Sequence, residues 1–85
     1  MTGERFLVYT RAGCELCDEF IAELASLPLR FGLRYVDDDP VARRRFGLKV
    51  PVLTCEGSVV CHGRLDREAV LRLAAGPEAA GPRLL

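Results

Sequence analysis

Cys14 and Cys17 stand two residues apart, separated by Glu15 and Leu16. This Cys-x-x-Cys spacing suits two kinds of chemistry. One is thiol–disulfide exchange, in which a thiolate attacks a disulfide sulfur and a second thiol resolves the mixed disulfide. The other is half of a zinc site, which needs two more ligands. The plain alternative is a pair of ordinary core thiols, since free cysteine is commonly buried. Position along the chain favours exchange. Phe6-Leu7-Val8-Tyr9 is a short apolar run that reads as a strand buried on both faces, and Thr10-Arg11-Ala12-Gly13 reads as a loop. The pair therefore sits where a loop enters a helix. Backbone N–H groups of a first helical turn lack internal partners, and the helix dipole adds partial positive charge. A thiolate placed there is stabilised, and the thiolate is the nucleophile. The second cysteine lies one turn further in, within reach of a mixed disulfide on the first. Zinc would require Cys55, Cys61 or His62 as further ligands, and their spacing is not that of a zinc knuckle.

The elements that must hold this junction can be read from pattern. The first helix begins near Cys14 and runs to about Leu27, with Leu16, Phe20, Ile21, Leu24 and Leu27 forming one buried face and Pro28 ending it. Leu33 to Val36 is a second strand. Asp39 caps a short helix from Pro40 to Phe46, stopped by Gly47. Val50 to Cys55 and Ser58 to Cys61 are two strands of a hairpin turning at Glu56-Gly57. Asp66 caps a last helix, Arg67 to about Ala75, with Val70, Leu71 and Ala74 inward and Gly76-Pro77 as its stop. The order is β-α-β-α-β-β-α, an α/β fold with a four-stranded mixed sheet flanked by helices. The first two strands are joined through a helix and should be parallel, with a right-handed crossover. Residues 1–76 form the domain, and 77–85 read as a flexible tail.

Composition narrows the setting. Eighty-five residues with 49% hydrophobic side chains can bury one modest core. Twelve basic residues balance twelve acidic ones, so no overall field favours nucleic acid or an anionic membrane, and neither is expected as a partner. The start of the chain lacks the apolar core of a secretory signal, and no apolar run approaches the roughly 20 residues of a membrane helix. A cytoplasmic monomer is expected. Thiols there are kept reduced, so the cysteines read as redox or metal chemistry rather than as a structural disulfide framework.

The run Val8-Tyr9-Thr10-Arg11-Ala12-Gly13-Cys14-Glu15-Leu16-Cys17 resembles the active-site region of glutaredoxins. Val50-Pro51 looks like the segment carrying the cis-proline of thioredoxin folds, and Gly63-Arg64-Leu65-Asp66 lies where glutaredoxins have a Gly-Gly-x-Asp run. The likeness covers roughly residues 5 to 75 and is closest to small bacterial glutaredoxin-like proteins. It implies a thioredoxin-type fold and a thiol–disulfide oxidoreductase that reduces protein disulfides or glutathione mixed disulfides. No bound cofactor is implied, and glutathione is a candidate reductant. The resemblance makes Cys14 the attacking thiol and Cys17 the resolving one. It makes Pro51 cis and facing the pair, with Val50 offering backbone hydrogen bonds to a bound thiol peptide. Arg11 matches a position that meets a glutathione carboxylate, and Asp66 one near the γ-glutamyl group. This chain departs from the pattern at Glu15 and Leu16, where glutaredoxins usually have Pro-Tyr, and at Arg64, which replaces a glycine. The alternative function is a non-catalytic thioredoxin-like binding module or redox sensor, with the cysteines able to hold metal.

Other residues have plainer readings. Arg43-Arg44-Arg45 reads as a solvated helix face, or more sharply as a carboxylate site. A two-residue turn would set Cys55 opposite Ser58 and Cys61 opposite Val52, on opposite faces of the hairpin, so no disulfide is expected between these cysteines. His62 reads as a surface residue at a loop end. Asp37-Asp38-Asp39 is explained by helix capping and the dipole, and lacks the spaced oxygen ligands of a calcium loop.

Overall fold

The computed structural model describes residues 5–80, and the side chains of 5–75. Strand β1 (Phe6–Thr10) leads into helix α1 (Glu15–Ala25), then strand β2 (Phe31–Tyr35). A short 3-10 turn, Val36–Asp38, precedes helix α2 (Pro40–Phe46). Strands β3 (Val52–Cys55) and β4 (Ser58–His62) form the hairpin, and helix α3 (Arg67–Ala80) follows. The sheet order is β2-β1-β3-β4. β1 is internal, parallel to β2 and antiparallel to β3. The expected α/β mixed sheet is therefore present, with β1 at its centre.

One face of the sheet carries the main core, where Phe6, Val8, Leu53 and Cys55 meet Phe20, Leu24 and Leu27 of the α1 region and Val70 of α3. The other face is covered more thinly. Val36, Ala42, Phe46 and Val52 form a smaller cluster there, with the Tyr9 and Phe46 rings 4.7 Å apart. Because α2 is only seven residues long, Leu7 and Tyr9 stay half-buried, where the sequence suggested full burial on both faces.

Several boundaries differ from expectation. α1 ends at Ala25, and its inward face is Cys17, Phe20 and Leu24, while Leu16 is 51% exposed. β2 starts earlier, at Phe31 opposite Phe6 of β1, and ends at Tyr35 because Val36 is drawn into the turn before α2. β3 starts only at Val52, beyond Pro51, which has no N–H to give the ladder. Leu71 faces outward. Gly76-Pro77 does not stop α3, which continues to Ala80 through an alanine-rich stretch with strong helix propensity. Pro77 cannot donate to the carbonyl four residues back, that of Leu73. Arg5 Nη1 donates to this carbonyl at 3.5 Å. Any tail beyond Ala80 lies outside the described residues.

The hairpin corrects a second reading. Glu56 and Gly57 hold φ of 52° and 89°, the I′ pattern that matches strand twist, and Cys55 faces Ser58 as expected. A bulge between Leu53 and Thr54 then shifts the register, so Cys61 faces Leu53 rather than Val52. Leu53 and Cys55 are two apart on β3, so Cys61 shares their face instead of opposing it. Both Cys55 and Cys61 are free thiols.

Candidate active site

Cys14 is the N-cap of α1, with extended backbone at φ −102°, ψ 108°. Its Sγ accepts a hydrogen bond from the Cys17 amide at 3.2 Å. The thiol thus occupies the place a Ser or Asp side chain takes in an ordinary cap, on one of the orphan N–H groups of the first turn. Cys14 is partly exposed, whereas Cys17 is fully buried behind it. Burial pushes the Cys17 thiol up, and its contact with Cys14 adds to this; the Thr10 hydroxyl and the Arg11 backbone offset part of the rise. The front sulfur is therefore reachable, and burial disfavours ionisation of the rear one. That division suits an attacking and a resolving thiol.

The Val50–Pro51 bond is cis, and Pro51 is buried. Since Val52 faces Tyr9 across the sheet, Pro51 comes next to the end of β1, where the Cys14 loop departs. The Gly63 amide donates to the Pro51 carbonyl at 2.8 Å, joining the loop after β4 to the same end. Val50 lies just before the β3 ladder. Asp66 caps α3: its Oδ1 accepts from the Ala69 amide at 3.1 Å. Beside Leu16, a cleft of about 170 Å³ is lined by Glu19, Phe20, Glu23, Gly63, Arg64 and Leu65. A larger cleft, about 520 Å³, opens at the opposite end of β3 around Arg5, Cys55 and Leu73, away from this chemistry.

Arg11 is bound within the protein. Its Nε and Nη2 donate to the two oxygens of Asp37 at 2.9 and 3.1 Å, and its Nη1 donates to the Gly47 carbonyl at 2.9 Å. Arg43 approaches Asp37 Oδ1 at 3.5 Å. Gly47 is needed there for space. A Cβ would come 2.5 Å from the Arg43 carbonyl oxygen, a backbone atom that cannot easily give way. Asp37 and Gly47 were not legible as site residues, because each acts through a contact distant in sequence. The acidic run divides its labour: Asp39 caps α2 as expected, and Asp37 serves Arg11. Arg43, from the basic cluster, meets a carboxylate of the same chain.

The Arg11 hydrogen bond, its charge and then that of Arg43 hold the Asp37 carboxyl below its ordinary range. A group with a lowered folded-state pKa adds stability above its unfolded value, and loses that contribution as pH falls through the folded one. Wild-type protein should therefore be more stable than Asp37→Asn at pH above about 4, the gap closing with further acidification. Urea melts of both proteins across that range check this, and a gap that widened toward low pH would contradict it.

The family model for the Glutaredoxin-like domain (DUF836) matches residues 5–73. The chain belongs to this glutaredoxin-like family. A solution structure of protein Ne2328 from Nitrosomonas europaea is similar at 29% identity and a TM-score of 0.72, covering 87% of this chain and 94% of that one. The crystal structure of XcR50 from X. campestris is similar at 27% identity and a TM-score of 0.68, covering 91% and 99%. The holo form of glutaredoxin C1 from populus tremula x tremuloides has a TM-score of 0.60 at 15% identity, covering 91% and 84%, a likeness of fold alone. No curated protein matches the chain. Among the described residues, this glutaredoxin-like domain has no group of three or more His, Cys, Asp or Glu side chains placed to hold a metal ion, and no helix long and apolar enough to cross a membrane.

Proposed function

We propose that the protein is a dithiol oxidoreductase that reduces disulfides through Cys14 and Cys17. The reading is carried by the cap geometry: a reachable Cys14 sulfur hydrogen-bonded by the Cys17 amide, with the Cys17 thiol buried behind it. The Cys14 thiolate attacks one sulfur of the substrate disulfide. A Cys14–substrate bond forms, the substrate S–S bond breaks, and the first substrate thiolate leaves and takes a proton from solvent. Cys17 then gives up its proton and attacks Cys14 Sγ, which releases the second substrate thiol and closes Cys14–Cys17. Two electrons pass from the dithiol to the substrate. A second thiol compound, glutathione or a thioredoxin-type dithiol, returns them, which suits a reducing compartment such as the cytoplasm. Val50, placed before the β3 ladder, offers its backbone to a bound chain at the cis-Pro51 end of the sheet.

The reduced chain has four thiols. Exposure to excess hydroxyethyl disulfide should remove two of them, and dithiothreitol should restore them. Peptide mapping should find Cys14 joined to Cys17. Loss of only one thiol, or a pairing that involves Cys55 or Cys61, would favour a binding or sensing module over a reductase.

A further inference from the structure

Arg11 precedes Cys14 by only two loop residues, Ala12 and Gly13. A guanidinium in that place would ordinarily serve a substrate carboxylate through its two-pronged fork. Here three of the five N–H donors are taken, including the Nε–Nη2 edge that grips a carboxylate with two bonds. Asp37 takes Nε and Nη2, the Gly47 carbonyl takes Nη1, and Arg43 steadies Asp37 from another side. A carboxylate that is to be gripped on that edge has to displace a competitor that is part of the same chain and never diffuses away.

The surrounding charge has the same sense. The α1 sequence contains Glu15, Asp18, Glu19 and Glu23 and no basic residue. Glu19 and Glu23 line the cleft beside Leu16, and Arg64 is its one basic lining residue. Arg67 of α3 already approaches Glu23 at 3.6 Å. Arg64 and Lys49 are exposed on the neighbouring loops. Glutathione disulfide carries more carboxylates than ammonium groups, and its end groups lie close to the sulfurs. A cystine within a polypeptide has its own carboxyl groups locked in amide bonds.

We propose that Asp37 is a specificity residue: it acts as a built-in carboxylate competitor for Arg11, so that the cysteine pair takes polypeptide disulfides in preference to carboxylate-bearing small ones such as glutathione disulfide. This rests on Cys14 being the attacking thiol. The reaction is the exchange already written, in which one disulfide is reduced to two thiols as Cys14–Cys17 closes.

The test is the rate at which fully reduced protein is oxidised by glutathione disulfide, by the same disulfide with its carboxyls amidated, and by a cystine peptide blocked at both termini. In the wild type the amidated and blocked disulfides should react several-fold faster than glutathione disulfide. Asp37→Asn should raise the rate with glutathione disulfide, relative to the blocked peptide, about five-fold, the scale of an exposed charge-assisted pair. Asp38→Asn removes the same charge one residue away and should leave that ratio unchanged. Adding Arg11→Gln to Asp37→Asn should cancel the gain. A wild type that prefers the carboxylate form overturns the proposal, and so does an equal gain in Asp38→Asn, which would mean bulk charge rather than Arg11. Should Asp37→Asn fail to fold, Asp37→Ser, which also removes the carboxylate, takes its place with the same expected gain, and a folded variant that shows no gain overturns the proposal. Reaction with none of the disulfides would overturn the dithiol reading and this inference together; reaction with all of them at indistinguishable rates overturns only the inference.

Discussion

Cys14→Ser should abolish disulfide turnover, while Cys17→Ser should trap the substrate on Cys14. The asymmetry follows from the two environments. Cys14 Sγ sits at the helix cap, reachable from solvent and hydrogen-bonded by an orphan amide of the first turn. A serine there keeps the cap, so the fold should survive. Its hydroxyl is scarcely ionised and is a far weaker nucleophile toward sulfur, and the loss should exceed about a thousandfold. Cys17 is fully buried, so substrate cannot reach it first, and its thiol enters only after a mixed disulfide stands on Cys14. In Cys17→Ser the first step proceeds and the second is lost. Mass spectrometry should then show one substrate thiol per chain, attached at Cys14 and stable until an external thiol is added. Adduct on Cys17 in the Cys14→Ser protein would reverse the roles. Turnover surviving in Cys14→Ser would remove the chemistry from this site altogether.

Much of this site was legible in the sequence, because its parts are local. Cys14 and Cys17 are one helical turn apart, and the apolar Phe6–Tyr9 run before them dictates the strand–loop–helix junction. Asp39-Pro40 and Asp66 announce helix starts by cap chemistry, and both act as caps. Glu56-Gly57 signals its own turn. What the sequence did not disclose depends on contacts between distant segments. No local rule pairs Arg11 with Asp37 and Gly47, since the 3-10 turn and α2 must first fold against the β1 end. The bulge at Leu53/Thr54 has no glycine to mark it, and without it the turn alone would set Cys61 opposite Val52 and on the other face. α3 outlasts Gly76-Pro77, and the Leu73 carbonyl that Pro77 cannot serve accepts from Arg5, at the other end of the chain. Leu16 fits a buried helical stripe as well as Cys17 does by spacing. Thiol burial decides between them, and apolar periodicity does not count it.

That last ambiguity yields the largest expected effect on stability. Leu24 is fully buried in the main core among Phe6, Val8, Phe20, Leu53 and Val70. Leu24→Ala removes buried methyl groups and leaves a cavity that a close-packed sheet–helix interface fills only in part, at a cost of about 3 kcal/mol. For a domain of this size, whose whole stability is of order 5–15 kcal/mol, that is a large share, and Tm should fall by more than about 12 °C. Leu16, half exposed on the same helix, should cost less than about 1 kcal/mol when changed to Ala. Thermal melts of Leu16→Ala and Leu24→Ala therefore report the rotation of α1. One residue corresponds to a turn of about 100° around the helix. A helix rotated so that Leu16 faced the core would carry Cys17 outward. Equal losses in the two variants would mean that Leu16 shares the buried face, and Cys17 would then lose the burial that makes it the resolving thiol. A large loss in Leu24→Ala beside a small one in Leu16→Ala fixes Cys17 behind Cys14 by a measurement independent of any redox assay.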